Sequence, residues 1–287
     1  MAAFFRRILV PLDTGPTTQK ALPHLSHLLS GTAEETVLEE VADDPFLADA
    51  ARMYVDGIAH RLHHLGLHVR TRVDVGPPVE AILDAAKEED ADAILLSALL
   101  RPGVSHVVFE EAAEGVVRKS RIPVLVLRPG EAGWGRDPAI KTILVPLDGS
   151  PVSRQALPLA EGLARCEGSR LVLLHVVRGG PEAGRDPGAD PTAWDPAFAD
   201  GELSGAVRDL ASRGIEARAR VTTGDPAECI LRTAESESAD MIVMTTHGRS
   251  GLSALLLGSV TDRILRTAPT PVLVVSQAGR GGAARAA

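Results

Sequence analysis

Aromatic side chains are scarce in this chain, with five Phe, two Trp and one Tyr among 287 residues. A base-stacking platform for single-stranded nucleic acid needs more than that. An excess of positive charge is also missing. Thirty Lys and Arg against 38 Asp and Glu leave a net charge of −8, with an isoelectric point near 5.6. That balance excludes the clustered basic surface that duplex phosphates require. The two cysteines, Cys166 and Cys229, form no spaced framework and read as buried, reduced thiols of a cytosolic protein. No apolar stretch approaches the ~20 residues of a membrane-spanning helix. Met1–Asp13 offers only a short apolar run before Pro11 and Asp13, too short for the apolar region of a secretory leader. Neither nucleic acid nor membrane is an expected partner, and the expected location is cytoplasmic.

What is present is ordinary globular composition, 45% hydrophobic and 24% charged. A chain of this length can bury a sizeable core without disulfide or metal staples, and its size suggests two domains. An internal repeat supports that division. Ile8-Leu-Val-Pro-Leu-Asp13 recurs unchanged 135 residues later as Ile143-Leu-Val-Pro-Leu-Asp148, and Ala21-Leu22-Pro23 recurs as Ala156-Leu157-Pro158. Further on the offset is 148. It relates Gly76-Pro77-Pro78 to Gly224-Asp225-Pro226, and Pro123-Val-Leu-Val126 to Pro271-Val-Leu-Val274. The thirteen extra residues of the second copy fall between Val177 and about Asp200, in a Gly-, Pro- and Asp-rich stretch that reads as a loop. A repeat this long is a duplicated domain, since solenoid units span ~20–50 residues. The expected boundaries are 1–130 for the first domain and 138–277 for the second, with 278–287 as a flexible Gly/Ala/Arg tail.

Each copy alternates strand and helix signals. Ile143–Leu147, Leu171–Val177, Met241–Met244 and Val272–Val275 are short continuous runs of branched apolar residues, the pattern of strands buried on both faces of a parallel sheet. The less apolar Glu216–Val221 fits an edge strand. Val152, Ala156, Leu159, Ala160 and Leu163 mark one helical face, with Ser150 and Pro151 placed as N-cap and first helical residue. Pro158 inside that pattern has no local explanation. In the first copy Phe46, Ala50, Met53, Tyr54, Ile58 and Leu62 mark another helix. The alternation implies an α/β fold with a doubly wound parallel-sheet sandwich in each half. Such sheets bind ligands beyond the carboxyl ends of their strands.

One loop carries the chemistry. Met244-Thr-Thr-His-Gly-Arg-Ser-Gly-Leu-Ser-Ala-Leu-Leu-Leu-Gly-Ser-Val260 follows a strand and leads into a helix, with nine residues between Gly248 and Gly258. Glycine permits a tight turn and close approach to a ligand. A helix N-terminus supplies unpaired N–H groups and partial positive charge, which suits phosphate. Ser259 adds a hydroxyl and Arg249 a guanidinium. On composition alone a loop cap without ligand fits equally well, because the stretch matches neither a Walker A nor a GxGxxG pattern. Asp148 alone likewise reads as an acidic residue near a helix start.

The whole chain resembles a tandem universal stress protein with two UspA-type domains. That family carries G-x2-G-x9-G-(S/T) after its fourth strand and an Asp ending its first. Gly248, Gly258 and Ser259 match, whereas the first marked glycine falls on Thr245, a departure that removes one close-approach position. Asp148 matches the family's Asp, and Leu174-His-Val176 resembles the second-strand end where backbone groups meet adenine. The resemblance implies a universal stress protein/adenine-nucleotide alpha-hydrolase-like fold with the halves arranged as an intramolecular pseudo-dimer. It also implies an adenine-nucleotide site for ATP, with Mg²⁺ accompanying it, built from Pro146, Asp148, Val176, Thr245, Gly248, Arg249, Gly258 and Ser259. No catalytic residue is implied. A homodimer of the whole chain is left open, and the protein partner is unknown.

The first copy departs from the motif. Leu100, Glu110 and Glu111 stand where the second copy has Gly248, Gly258 and Ser259. A like charge ~4 Å from a phosphate costs about 4 kcal/mol at an effective dielectric of 20, nearly three decades in affinity. The first domain is therefore expected to bind no ATP in this mode and to serve a structural role.

Other features read as ordinary. His60, His63, His64 and His68 suggest a solvated face, since no Cys or carboxylate completes a tetrahedral zinc set. Ser250 lies in Gly-Arg-Ser-Gly-Leu, which fails the GxSxG elbow at its last position, and His247 lacks a third orienting residue. The 178–200 insertion reads either as a lid over the nucleotide or as a mobile acidic loop. The leading function is nucleotide-responsive stress regulation. The alternatives are a slow ATPase or phosphoryl-transfer enzyme, for which no general base is evident, and an interaction scaffold that needs no nucleotide.

Overall fold

The computed structural model describes residues 4–12, 28–29, 32–97, 106–127, 139–177, 196–246 and 257–275. They divide into two compact units that meet in sequence at Pro138 and Ala139. The first unit runs β1 (Phe5–Leu12), β2 (Ala33–Ala42), α1 (Ala48–His64), β3 (Val69–Val75), α2 (Pro78–Glu88), β4 (Ala93–Ser97), α3 (His106–Lys119) and β5 (Val124–Leu127). Its strands lie in the order β3-β2-β1-β4-β5, and every pair is parallel.

The second unit runs β6 (Thr142–Pro146), α4 (Ala156–Glu167), β7 (Arg170–Val177), α5 (Pro196–Ser212), β8 (Ala217–Thr223), α6 (Pro226–Ser236), β9 (Met241–Thr245), α7 (Ser259–Thr267) and β10 (Val272–Val275). Its order is β8-β7-β6-β9-β10, again all parallel. Each unit is thus the doubly wound parallel sandwich that the alternation of apolar runs predicts.

The duplication is preserved residue by residue in the hydrogen-bond register. Pro11 pairs with Glu39 in β1–β2, as Pro146 pairs with Leu174 in β6–β7. Ile94 pairs with Val124, as Ile242 pairs with Val272. Helix α5 begins at Pro196, and α1 begins at Ala48, so the offset is already 148 there. All thirteen extra residues therefore lie before Pro196. Five residues (43–47) connect β2 to α1, and eighteen (178–195) connect β7 to α5. The insertion's expected lid or loop role falls on residues outside those described, as does the expected tail.

Central strands are buried on both faces, which is why their sequences are unbroken apolar runs. Leu9, Ile94, Leu95 and Leu96 are fully inaccessible in the first unit, as are Leu144, Ile242 and Val243 in the second. β3 and β8 each stand at one end of their unit's strand order, and their mixed burial accounts for their polar residues. The edge strand expected at Glu216–Val221 is β8, displaced by one residue at its start and two at its end.

Two sequence expectations change. The buried face of α1 consists of Ala51, Val55, Ile58, Ala59 and Leu62, whereas Phe46, Ala50 and Met53 point to solvent. Apolar residues occupy both faces of this helix, so spacing of three and four residues fits either. Ser150 Oγ accepts from the Ser153 N–H at 3.1 Å, but Ser150 is not the N-cap: a 3₁₀ turn, Ser153–Gln155, comes first, with Val152 before it. The α-helical part starts only at Ala156. Pro158 therefore falls in the first α-helical turn, where its missing N–H costs little. Pro23 lies outside the described residues. Cys166 and Cys229 are both free thiols; Cys229 is buried, while Cys166 is only partly so. Among the described residues no helix is long and apolar enough to cross a membrane.

Candidate functional site

Strand order reverses around β6 in the second unit. β7 and β8 follow on one side of it, while β9 and β10 lie on the other. The carboxyl ends of β6 and β9 therefore form the topological switch point, the place where open α/β sheets take ligands. The β6–β9 ladder is short, pairing only Ile143 with Met241 and Leu144 with Ile242, so the chain beyond it is free to diverge. Pro146, Asp148, Val176 and Thr245 all sit at this end of three adjacent parallel strands.

The turn after β6 is held by a hydroxyl network. Asp148 Oδ1 accepts from the Ser150 N–H at 2.9 Å and from Ser150 Oγ at 2.6 Å. The Asp148 N–H donates to Ser153 Oγ at 3.3 Å, and that hydroxyl donates to the Ser150 carbonyl at 3.0 Å. Asp148 is only partly buried, and the network fixes one carboxylate oxygen toward its own turn. Gly149 makes this turn with φ of 82°, a left-handed conformation in which a Cβ clashes with the following carbonyl. Gly149→Val should cost about 1–2 kcal/mol for this strain and pull Asp148 out of place. Chemical denaturation compared with wild type would measure the loss; an unchanged midpoint would show that the turn relaxes freely.

The ends of β7 and β9 are tied to the same edge. β7 runs beyond its last pairing with β6, and the Leu147 N–H reaches the Leu174 carbonyl at 2.7 Å. The buried imidazole of His175 donates from Nδ1 to the Leu147 carbonyl at 2.8 Å, which fixes its tautomer. On the other side, Thr246 donates its N–H to Val275 O at 3.1 Å and accepts from the Gly258 N–H at 3.1 Å. The buried Thr261 hydroxyl donates to the Thr245 carbonyl at 3.1 Å. The first residues of α7 are thereby clamped to the end of β9. Gly258 is the N-cap of α7 and offers no side-chain cap, so among the described residues no side chain claims the first N–H groups of α7.

Gly258 has φ of −60° and ψ of 140°, which any residue can adopt. The expected tight turn is therefore not its reason for being glycine; what the site gains is the absence of a side chain over the helix end. Thr245 is buried within β9 and contributes through its carbonyl, so the missing family glycine leaves the strand end intact. Gly248 and Arg249 lie outside the described residues, as do His247, Ser250, Asp13 and Leu100. Gly149, His175 and Thr261 were not singled out by sequence reasoning. The Asp-Gly-Ser after an apolar strand was a legible turn signal for Gly149, whereas the two side-chain bonds to strand-end carbonyls depend on contacts 28 and 16 residues away in sequence.

In the first unit the corresponding helix is different. α3 begins at His106, so Glu110 and Glu111 lie inside it, whereas their counterparts Gly258 and Ser259 cap and open α7. Besides the change to Glu, the position within the element differs, which matters because N–H groups inside a helix are used by the helix itself. As for metals, among the described residues no group of three or more His, Cys, Asp or Glu is placed to hold an ion. His60, His63, His64 and His68 are all exposed.

Two doubly wound parallel α/β units, with a glycine-led helix start at the switch point of one of them, define a tandem α/β sandwich architecture. The sequence profile of the Universal stress protein family matches residues 4–128 and 139–276, and the chain belongs to that family. It is 32% identical over 218 residues to universal stress protein Rv2005c of Mycobacterium tuberculosis, covering 74% of this chain and 70% of that one. A universal stress protein of Thermus aquaticus is 35% identical over 138 residues, 47% of this chain and 98% of its own. In structure the chain resembles a universal stress protein of Archaeoglobus fulgidus, with a TM-score of 0.72, 22% identity and coverage of 96% and 97%.

Proposed function

We propose that this protein is a nucleotide-responsive stress regulator that holds one ATP, with Mg²⁺ brought by the phosphates, in its C-terminal unit. The observation that carries this is the start of α7, where Gly258 presents helix N–H groups without a side chain, clamped to β9 at the switch point. Asp148 would meet the ribose, the backbone at Val176 the adenine, and Gly248, Arg249, Gly258 and Ser259 the phosphates. Pro146 and Thr245 would shape the strand ends below. Phosphate charge is stabilised by helix N–H groups and a guanidinium. The chain's part is to bind and orient; no residue in the site is assigned as a general base. Occupancy would be read through stability, because a ligand that binds only the folded state stabilises it by about 2.7 kcal/mol at a hundred times its Kd.

Calorimetric titration of the full chain with ATP and Mg²⁺ tests the proposal. One site per chain is expected, together with a rise in melting temperature. Two equal sites, or none, would overturn it, and sustained phosphate release would move the reading to an ATPase.

A further inference from the structure

We propose that His60 and His64, near the end of α1, form a two-imidazole chelate for a divalent transition-metal ion, Cu²⁺ before the others. Their four-residue spacing puts both side chains on one helical face, and both residues are exposed. The two Nε2 atoms stand 3.1 Å apart. The ring centroids are further apart, at 4.5 Å, with the ring planes at 88°. The rings therefore open away from each other while their Nε2 atoms converge. A closed zinc set needs four ligands, but an open chelate needs only two.

The separation fits an ion. Two nitrogens bonded to one metal at ~2.0–2.1 Å stand about 2.9 Å apart across a right angle and about 3.4 Å apart across a tetrahedral one. The observed gap lies between these, so small side-chain rotations suffice to admit a metal. A neutral imidazole carries one N–H, so in the unliganded pair one Nε2 donates and the other accepts. Coordination needs a lone pair at both Nε2 atoms. The donor ring therefore passes through solvent exchange to its Nδ1–H tautomer, and neutral rings release no net proton. Imidazole suits Cu²⁺, Ni²⁺ and Zn²⁺, and affinity among these peaks at Cu²⁺. Mg²⁺ takes oxygen ligands, so this site is separate from the Mg²⁺ proposed to accompany ATP.

The surroundings favour a cation. Both histidines lie in the last two turns of α1, where the helix dipole is negative. Asp56 is exposed one turn earlier on the same face and adds attraction, while Arg61 beside His60 opposes it. Among the described residues no group of three or more His, Cys, Asp or Glu is placed to hold an ion, so water completes the coordination and the ion stays exchangeable. His63 takes no part, because its Nδ1 is held by the Leu67 carbonyl at 3.2 Å. The equivalent helix α5 has Arg208 and Ser212 in place of His60 and His64, so the second unit has no counterpart of this site.

Calorimetric titration of the full chain with copper(II) chloride alone, read alongside electron paramagnetic resonance, provides the test. One tight ion per chain is expected, with nitrogen couplings in the spectrum and no displacement by excess Mg²⁺. His60→Gln and His64→Gln should each weaken binding about a hundredfold, since joining two ligands gains about 10²–10⁴ over either alone. His63→Gln should leave it unchanged. Both ligands are exposed, so the unliganded variants should melt as wild type does, and loss of folding would not account for the result. Absence of a tight ion, equal affinity in wild type and the two ligand variants, or an equal loss in His63→Gln would overturn the proposal.

Discussion

Replacing Glu39 by Gln is expected to remove a loss of stability that the N-terminal unit otherwise suffers between about pH 4.5 and about pH 8. Glu39 lies on β2 with 0% of its surface exposed. Neither of its carboxylate oxygens has a hydrogen-bond partner among the described residues. Burial, with the nearby Asp74 carboxylate second, pushes its pKa from 4.5 up to about 8, against the opposing pull of Arg72. A carboxyl group held protonated in the folded state and ionised in the unfolded one contributes its full stability below the unfolded pKa. That contribution falls by about 1.4 kcal/mol per pH unit and is gone above the folded pKa, a total of about 5 kcal/mol.

Glu35, on the same strand, is shifted the other way. The Arg70 guanidinium holds its carboxyl below the ordinary range, so its contribution is lost only as pH falls further, outside the Glu39 window. The position equivalent to Glu39 in the second unit is Leu174, 1% exposed. Glu39→Leu should therefore stabilise the first unit most at pH 8 and above. Denaturant unfolding from pH 4 to 9, combined with hydrogen exchange of β2, would read the effect. Wild-type and Glu39→Gln curves that run parallel across the window would refute it.

Gly258→Glu should abolish ATP binding. The substitution places a carboxylate beside the phosphates, where about 4 kcal/mol of repulsion at ~4 Å corresponds to nearly three decades of affinity. Because the backbone at Gly258 is extended, Glu fits without strain and the fold should survive. Calorimetry should then show no ATP binding, while the unliganded protein melts as wild type does. Unchanged affinity would exclude the start of α7 as the site. The reverse exchange at Glu110 and Glu111 should not create a site, since α3 has already consumed those N–H groups.

Much of this protein was legible in its residues. The repeated Ile-Leu-Val-Pro-Leu-Asp, the apolar runs and the two offsets announce two parallel α/β units, because burial on both faces demands unbroken branched residues and duplication preserves register. Asp148 and Gly258 were recognisable for the same reason: a residue next to a strand end or a helix start keeps its place when the element forms. The two faces of α1 were not separable, since helical spacing alone cannot tell which apolar stripe meets the sheet.

Tertiary structure alone decided the rest. The clamps from His175 to Leu147, Thr261 to Thr245 and Gly258 to Thr246 join strand ends to residues distant in sequence, and no local pattern encodes such a bond. Likewise, whether a Glu stands before a helix or within it depends on where the helix begins, which packing sets. The sequence by itself determined which elements form and which side chains are available to a ligand. Long-range hydrogen bonds and burial determined how the strand ends and the start of α7 are held together, because those contacts join residues distant in sequence.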